Sequence, residues 1–339
     1  MEVKYEIQKD GENIIYVNVQ AINSTNINQR CDINISRTSP IIKDASQYVF
    51  SIVRFKIPTQ LHPLFFFPSM PLIVTVYNGT SYFSQTVQFI PSNNDNIYVS
   101  GVYSYQLYCV MINNALSLAC TAAGIGPLSY IPFIVYDTEQ ELFKVYFPTS
   151  WINTGPYKLF FNNTLWHYFG TFPNQSFNTS LPNINANYQL LCLDTGINKM
   201  PYPKDISLSS LMMAQEWQSF GLMSSLASIL ITSNDIPVVP VNSANIFVGK
   251  GVSADNKALI IIEDFEIVES GTPGYQSNYQ LYTSQNNRYS DLYEKSALYN
   301  INLQIFTYAQ ELNLFQVLYI APNFNCTFKL MFKRKILNY

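Results

Sequence analysis

Charge is scarce in this 339-residue chain: Asp, Glu, Lys and Arg make up 12% of it, while Phe, Trp and Tyr make up 15%. The charged share is about half of what soluble domains carry. A solitary protein needs charge to stay dispersed, so a surface poor in charge and rich in Tyr and Phe points to cover by partners. The net charge of −3 leaves no broad basic face to neutralise a phosphate backbone, and no direct nucleic-acid binding is expected. With 13 Gly and no G-x-x-x-x-G-K or G-x-G-x-x-G run, the chain offers no phosphate cradle. Cys31, Cys109, Cys120, Cys192 and Cys326 form no C-x-x-C pair and have no His at ligand spacing, so neither zinc nor a redox dithiol is indicated. Their odd number fits free thiols in a reducing compartment. Met1 to Asp10 is charged and polar, so no secretory leader is expected there, and the sequons at Asn78 and Asn178 carry no weight without one. No apolar tract approaches the roughly 20 residues of a membrane-spanning helix.

What the chain does have is β-type patterning. Between Lys257 and Lys335 the runs KALIIIEDFEIVE, LYNINLQIFTY, FQVLYIAP and CTFKLMFKRK are separated by turn residues, as in a sandwich or barrel. Their middles are Ile, Leu, Val and Phe, which suits core strands. Earlier, QYVFSIVRFKIPT from Gln47 reads as a strand ending near Pro58, and Asn78-Gly79 is a strong hairpin signal inside LIVTVYNGTSYFSQTVQFI. Residues 1–43 are polar and Asn-rich and read as an extended arm that orders against a neighbour, with IIYVNVQAI able to add one strand. Leu107, Val110, Met111, Ala115 and Leu118 lie at helical spacing, predicting a helix of about five turns that stops at Gly124. Asp137 to Gln140 should turn a hairpin, and INKMPYPKDISLSS reads as a linker. A helix-bearing stretch of about 100–199 within an otherwise all-β chain has the texture of an inserted domain.

No catalytic set can be grouped. His62 and His167 are far apart and each is embedded among aromatics, without a nearby orienting carboxylate and nucleophile. Glu263, Asp264 and Glu266 alternate along one strand, with Arg288 and Lys295 as candidate ion-pair partners, and Glu139 and Glu141 flank a turn. Such carboxylates suit solvation or pairing better than the facing pair of a glycosidase. Trp151, Trp166 and Trp217 could line a sugar platform or fill a core. Phe65-Phe66-Phe67, in a Pro-rich loop, could face another subunit or fold down over an open barrel end. Lys329 and Lys333-Arg334-Lys335 form a small basic cluster, read as a strand end or protein contact. No catalytic, cofactor-binding or metal-ligating residue is assigned, and no enzyme activity is expected.

Several segments, in order, resemble one family: Phe55-Lys56-Ile57-Pro58-Thr59; Tyr105 to Ala115 with Met111-Ile112-Asn113-Asn114-Ala115; Phe160-Phe161-Asn162; Ile229 to Pro237; Asp264-Phe265; Arg288-Tyr289-Ser290-Asp291-Leu292; and Lys329-Leu330-Met331-Phe332-Lys333. The sequence is similar to the penton, or minor capsid, proteins of virophages and Polinton-like viruses. The resemblance implies a mainly β fold: a single jelly-roll sandwich, an inserted α+β or β-rich domain on its outer side, and five copies in a ring at an icosahedral vertex. On that basis residues 1–43 are the N-terminal arm, 44–99 the first part of the jelly roll, 100–199 the insertion and 200–339 the second part. The expected partners are four further copies in a homopentamer, neighbouring major capsid capsomers gripped by the arm, and a host receptor or glycan met by the insertion. The expected location is the capsid vertex of the virion. The competing expectation is a receptor- or glycan-binding module on a jelly-roll scaffold.

Overall fold

The structure is a computed structural model that describes residues 1–11, 13–91, 98, 100–126, 130–177, 186–218, 228–238, 246–247, 260–266, 279–283, 288–309 and 314–336. The sequon at Asn178, most of the loop expected from Val238 to Lys257, and Asn287 lie outside the described residues.

The chain opens with β1 (Glu2–Asp10), β2 (Ile14–Ile22), β3 (Gln29–Arg30), β4 (Asp32–Ser36) and β5 (Tyr48–Pro58). A middle section follows with β6 (Phe65–Phe66), β7 (Ile73–Tyr77), β8 (Tyr82–Thr86), β9 (Gly101–Val102) and helix α1 (Tyr105–Ala122). It continues through β10 (Phe133–Asp137), β11 (Leu142–Pro148), β12 (Lys158–Phe161) and the short helix α2 (Asn163–His167). It ends with β13 (Asn174–Ser176), β14 (Tyr188–Leu190), β15 (Lys199–Tyr202) and β16 (Asp205–Ala214). The last third supplies β17 (Ser228–Thr232), β18 (Ile246–Phe247), β19 (Ile261–Glu266), β20 (Tyr279–Thr283) and β21 (Ser290–Asp291). It closes with β22 (Asn300–Ala309), β23 (Leu314–Val317), β24 (Tyr319–Ile320) and β25 (Asn325–Arg334). The mainly β class holds, and the closing runs expected as core strands are β19, β22, β23 with β24, and β25.

Two sheets face one another. One has the order β1-β2-β25-β5-β20, with β21 also on β5; the other has the order β18-β23-β22-β17-β19, with β4 also on β22. Val17, Phe50, Ile52, Phe328 and Leu330 from the first sheet share one buried core with Ile33, Ile229, Ile231, Leu303 and Ile305 from the second. The Phe55 and Phe265 rings meet edge to face across it with centroids 4.7 Å apart. This is sheet-on-sheet packing, in which inward residues alternate with outward polar ones along each strand.

In residues 1–43, IIYVNVQAI adds the strand expected of it, as β2, and the other described strands of this stretch also pair within their own chain. β2 pairs along its whole length with β25, from Ile14 opposite Lys333 to Ile22 opposite Asn325, and β4 pairs with β22 in the opposite sheet. Average polarity concealed a period of two. Ile15, Val17, Val19, Ala21, Ile33 and Ile35 all point inward and are buried, while the Asn, Gln and Tyr between them face out.

The middle section has a second core, running from Phe65 to Met213. It is wider than the expected 100–199, and it takes in the Asn78-Gly79 hairpin that was assigned to the first part of the jelly roll. That hairpin forms as the sequence indicates, with Gly79 at φ 94°, but β7 pairs with β12 and packs beneath α1. A turn signal sets local geometry and says nothing of which sheet the hairpin joins. The segment read as a linker is likewise structured: β15 and β16 pair antiparallel and extend the sheet β10-β11-β16-β15. Pro201 is tolerated there because β15 is the edge strand. Helix α1 occupies its expected span. Ser104 Oγ accepts from the Leu107 amide at 3.3 Å at its start, and Gly124, at φ 68°, ends it.

Candidate functional site

The residues singled out for chemistry are not gathered in one place. His62 lies between β5 and β6, and His167 ends α2. The His62 ring is buried and stacked on Tyr98 with centroids 5.0 Å apart; neither of its nitrogens has a hydrogen-bond partner among the described residues, and burial lowers its pKa to about 4. A base held that low and without an orienter is a packing residue. His167 contacts the Tyr168 ring edge to face at 5.5 Å.

Arg288 meets the β19 carboxylates, as expected. Its Nη1 is 3.4 Å from Glu263 Oε1 and 3.0 Å from Asp264 Oδ1, and it also donates to the Asp264 carbonyl at 3.1 Å. Glu263 is buried, and that burial raises its pKa while Arg288 pulls against the shift. The three groups form an ion clamp on a sheet edge. Lys295 acts electrostatically on Asp44, whose pKa is lowered first by its hydrogen bond from Ser46. At the β10–β11 turn Asp137 Oδ1 accepts from the Glu139 and Gln140 amides and Oδ2 pairs with Lys144, while Glu141 accepts from Gln218 at 2.8 Å.

The aromatic candidates divide. Trp151 is buried with Nε1 donating to the Tyr130 carbonyl at 2.9 Å, and Trp166 is buried against Tyr188, stacked at 4.7 Å. Trp217, by contrast, is 61% exposed. Phe65 packs against Tyr108 and Phe66 against Tyr98, while Phe67 rests on Phe89. The Pro-rich loop is therefore folded down, the second of the two readings offered for it. The basic tail is a strand end: Lys329 lies over Tyr16, Lys333 over Tyr289, and Lys335 pairs with Asp291 at 3.0 Å. Among the described residues no three His, Cys, Asp or Glu side chains gather as a metal-binding set, and no helix is long and apolar enough to cross a membrane.

Exposed apolar groups are the more informative feature. Ile197 is 91% exposed and Ile206 83%, and Met200 and Leu193 are also exposed, all on or beside the β15–β16 hairpin. Asn198 ties this region together, donating to the Leu193 and Met212 carbonyls. On the sandwich, Tyr5, Leu281, Tyr289, Tyr293, Tyr299 and Ile336 are exposed. Sequence reading missed the hairpin because two prolines and a lysine-aspartate pair imitate a linker; the signal that would have found it is the alternation of Leu211 and Met213, both buried, around Met212.

These surfaces sit on a fold with known relatives. Residues 73–334, well over half of the chain, match the family described as Sputnik minor capsid protein V18/19. The chain belongs to that family. The Sputnik minor capsid protein family thus accounts for both the middle section and the second part of the sandwich. Two solved structures share the whole architecture. A chain in the 3.5 Å cryo-EM structure of the Sputnik virophage superposes with a TM-score of 0.75 at 19% identity, covering 96% of this chain and 99% of that one. The mavirus penton protein, from its selenomethionine crystal structure, gives a TM-score of 0.70 at 17% identity, covering 96% and 100%. At such identities the likeness speaks for the fold. No curated protein matches the chain. A family of capsid proteins has a structural role, which agrees with carboxylates and imidazoles that are paired or packed.

Proposed function

We propose that this minor capsid protein is the penton of an icosahedral capsid, five copies closing in a ring at each vertex with the two-sheet sandwich as an upright single jelly roll. The likeness of the entire chain to the mavirus penton protein carries this reading. The exposed Ile, Leu, Met and Tyr on a charge-poor chain support it, because apolar groups grouped on such a surface suit contact with partners. Identical subunits making head-to-tail contacts close into a ring when the rotation permits. The other partners are the major capsid capsomers around the vertex. Sedimentation or mass photometry of the purified chain tests the ring: five copies of the 38.7 kDa subunit weigh about 190 kDa. A chain that stays monomeric at high concentration and is absent from particle vertices overturns the reading.

A second role for the middle section, recognition of a host glycan or receptor, rests on Trp217, whose exposed indole could stack on a sugar face. A glycan array with Trp217→Ala as control decides it. Trp151 and Trp166 would be unsuitable controls, since both are core residues.

A further inference from the structure

The Cys31 and Cys326 Sγ atoms are 3.1 Å apart in the sandwich core, and both residues are fully buried thiols. We propose that this pair is a covalent modification site, closing to a disulfide when the protein meets a disulfide oxidant such as oxidised glutathione. The backbone already holds both partners in place. Cys31 sits between β3 and β4, its amide donating to the Leu318 carbonyl at 2.8 Å. Cys326 lies in β25 opposite Ala21 of β2. Bonding brings the sulfurs about 1 Å closer, from their 3.1 Å contact to the usual S–S length. Cys109, Cys120 and Cys192 belong to the other core or its edge, so none competes for either sulfur.

The chemistry is thiol–disulfide exchange. One protein thiolate attacks a sulfur of oxidised glutathione and releases one reduced glutathione. The second protein thiol then displaces the other, so two S–H bonds are lost, one S–S bond is made, and the oxidant is reduced to two thiols. Burial pushes the Cys31 thiol well above its ordinary range, assisted by the hydrogen bond with Cys326. The exchange therefore runs while the segment that carries Cys31 is still closing over Cys326, and the finished bond is shielded from reductants by the same burial. A reducing setting keeps all five thiols, and an oxidising one converts this pair alone. The link spans 295 residues of sequence and staples the first 36 to the last strand.

The test is refolding of the full reduced chain in a glutathione redox buffer, followed by alkylation in denaturant and peptide mapping. The expected product has Cys31 joined to Cys326 and Cys109, Cys120 and Cys192 alkylated. Its melting temperature is higher by about 3–10 °C than that of the chain refolded in dithiothreitol. Cys31→Ser and Cys326→Ser lose that oxidant-dependent shift. Alkylation of all five cysteines after refolding, or a crosslink between any other pair, overturns the assignment. The mapping of the unmutated chain decides the matter even where a serine variant folds poorly.

Discussion

His62 lies nearly parallel to Tyr98, and the hydroxyl of that same tyrosine accepts a hydrogen bond from the Tyr319 amide at 3.2 Å. The stack thus joins the loop leaving β5 to the start of β24. Protonating the imidazole would place a charge in this dry contact. Its pKa falls from 6.5 to about 4 on folding because burial penalises the charged form, so the unfolded chain binds the extra proton between those values. The His62 contribution is complete above pH 6.5 and is lost as pH falls toward 4, amounting to about 3 kcal/mol at the lower end. Denaturant melts at pH 7, 5.5 and 4 should show the fall. His62→Phe, which keeps the aromatic volume, should flatten it relative to the unmodified chain.

Asn162 holds three segments together. Its Oδ1 accepts from the Leu165 amide at 3.0 Å, capping α2, and from the Ile73 amide at 3.0 Å, while Nδ2 donates to the Pro71 carbonyl at 2.8 Å. Asn162→Ala removes a helix cap and strands a buried N–H. The expected loss is about 2–4 kcal/mol in urea unfolding.

The three tryptophans should separate cleanly. Trp151→Ala and Trp166→Ala empty large core volumes and should each cost about 3–5 kcal/mol. Trp217→Ala should change stability by no more than about 0.5 kcal/mol. Thermal melts of the three variants side by side read this directly.

Arg288→Ala leaves Glu263 buried without its cation. The raised Glu263 pKa means that the folded chain binds the extra proton, so this carboxyl already lowers stability as pH rises above 4.5. Removing Arg288 should steepen that loss, with about 1–2 kcal/mol less stability at pH 7 and a smaller deficit at pH 5. Paired melts at the two pH values measure it.

How much of this was readable in advance depends on the range of the interaction involved. Helix α1, the Asn78-Gly79 turn and the Asp137 turn are set by neighbours a few residues away, and each stands where the sequence puts it. The Arg288 clamp was legible as charge complementarity between Arg288 and the acidic β19. The membership of β7 and β8 in the middle core was not, because it depends on a pairing of Thr75 with Phe160, 85 positions later. The Cys31–Cys326 pair was hidden for the same reason: nothing in the spacing of five cysteines shows that the residue after β3 meets a side chain of β25. The burial of Phe65, Phe66, Trp151 and Trp166 likewise needed the fold, since a large aromatic looks the same in sequence whether it fills a core or faces a sugar.

The pairing of β2 with β25 also sets an order of events during synthesis. The middle core is continuous in sequence from Phe65 to Met213 and can collapse while the ribosome is still reading the last third. The sandwich cannot: β2 waits for β25, a partner made about 300 residues later. Until then nothing joins β2 to β5, and the sheet that carries Val17, Val19 and Phe50 is split in two. A truncated product lacking β25 therefore retains a folded middle and exposes an unfinished, adhesive sheet, so the last strand acts as the checkpoint between a nascent chain and a subunit fit to assemble.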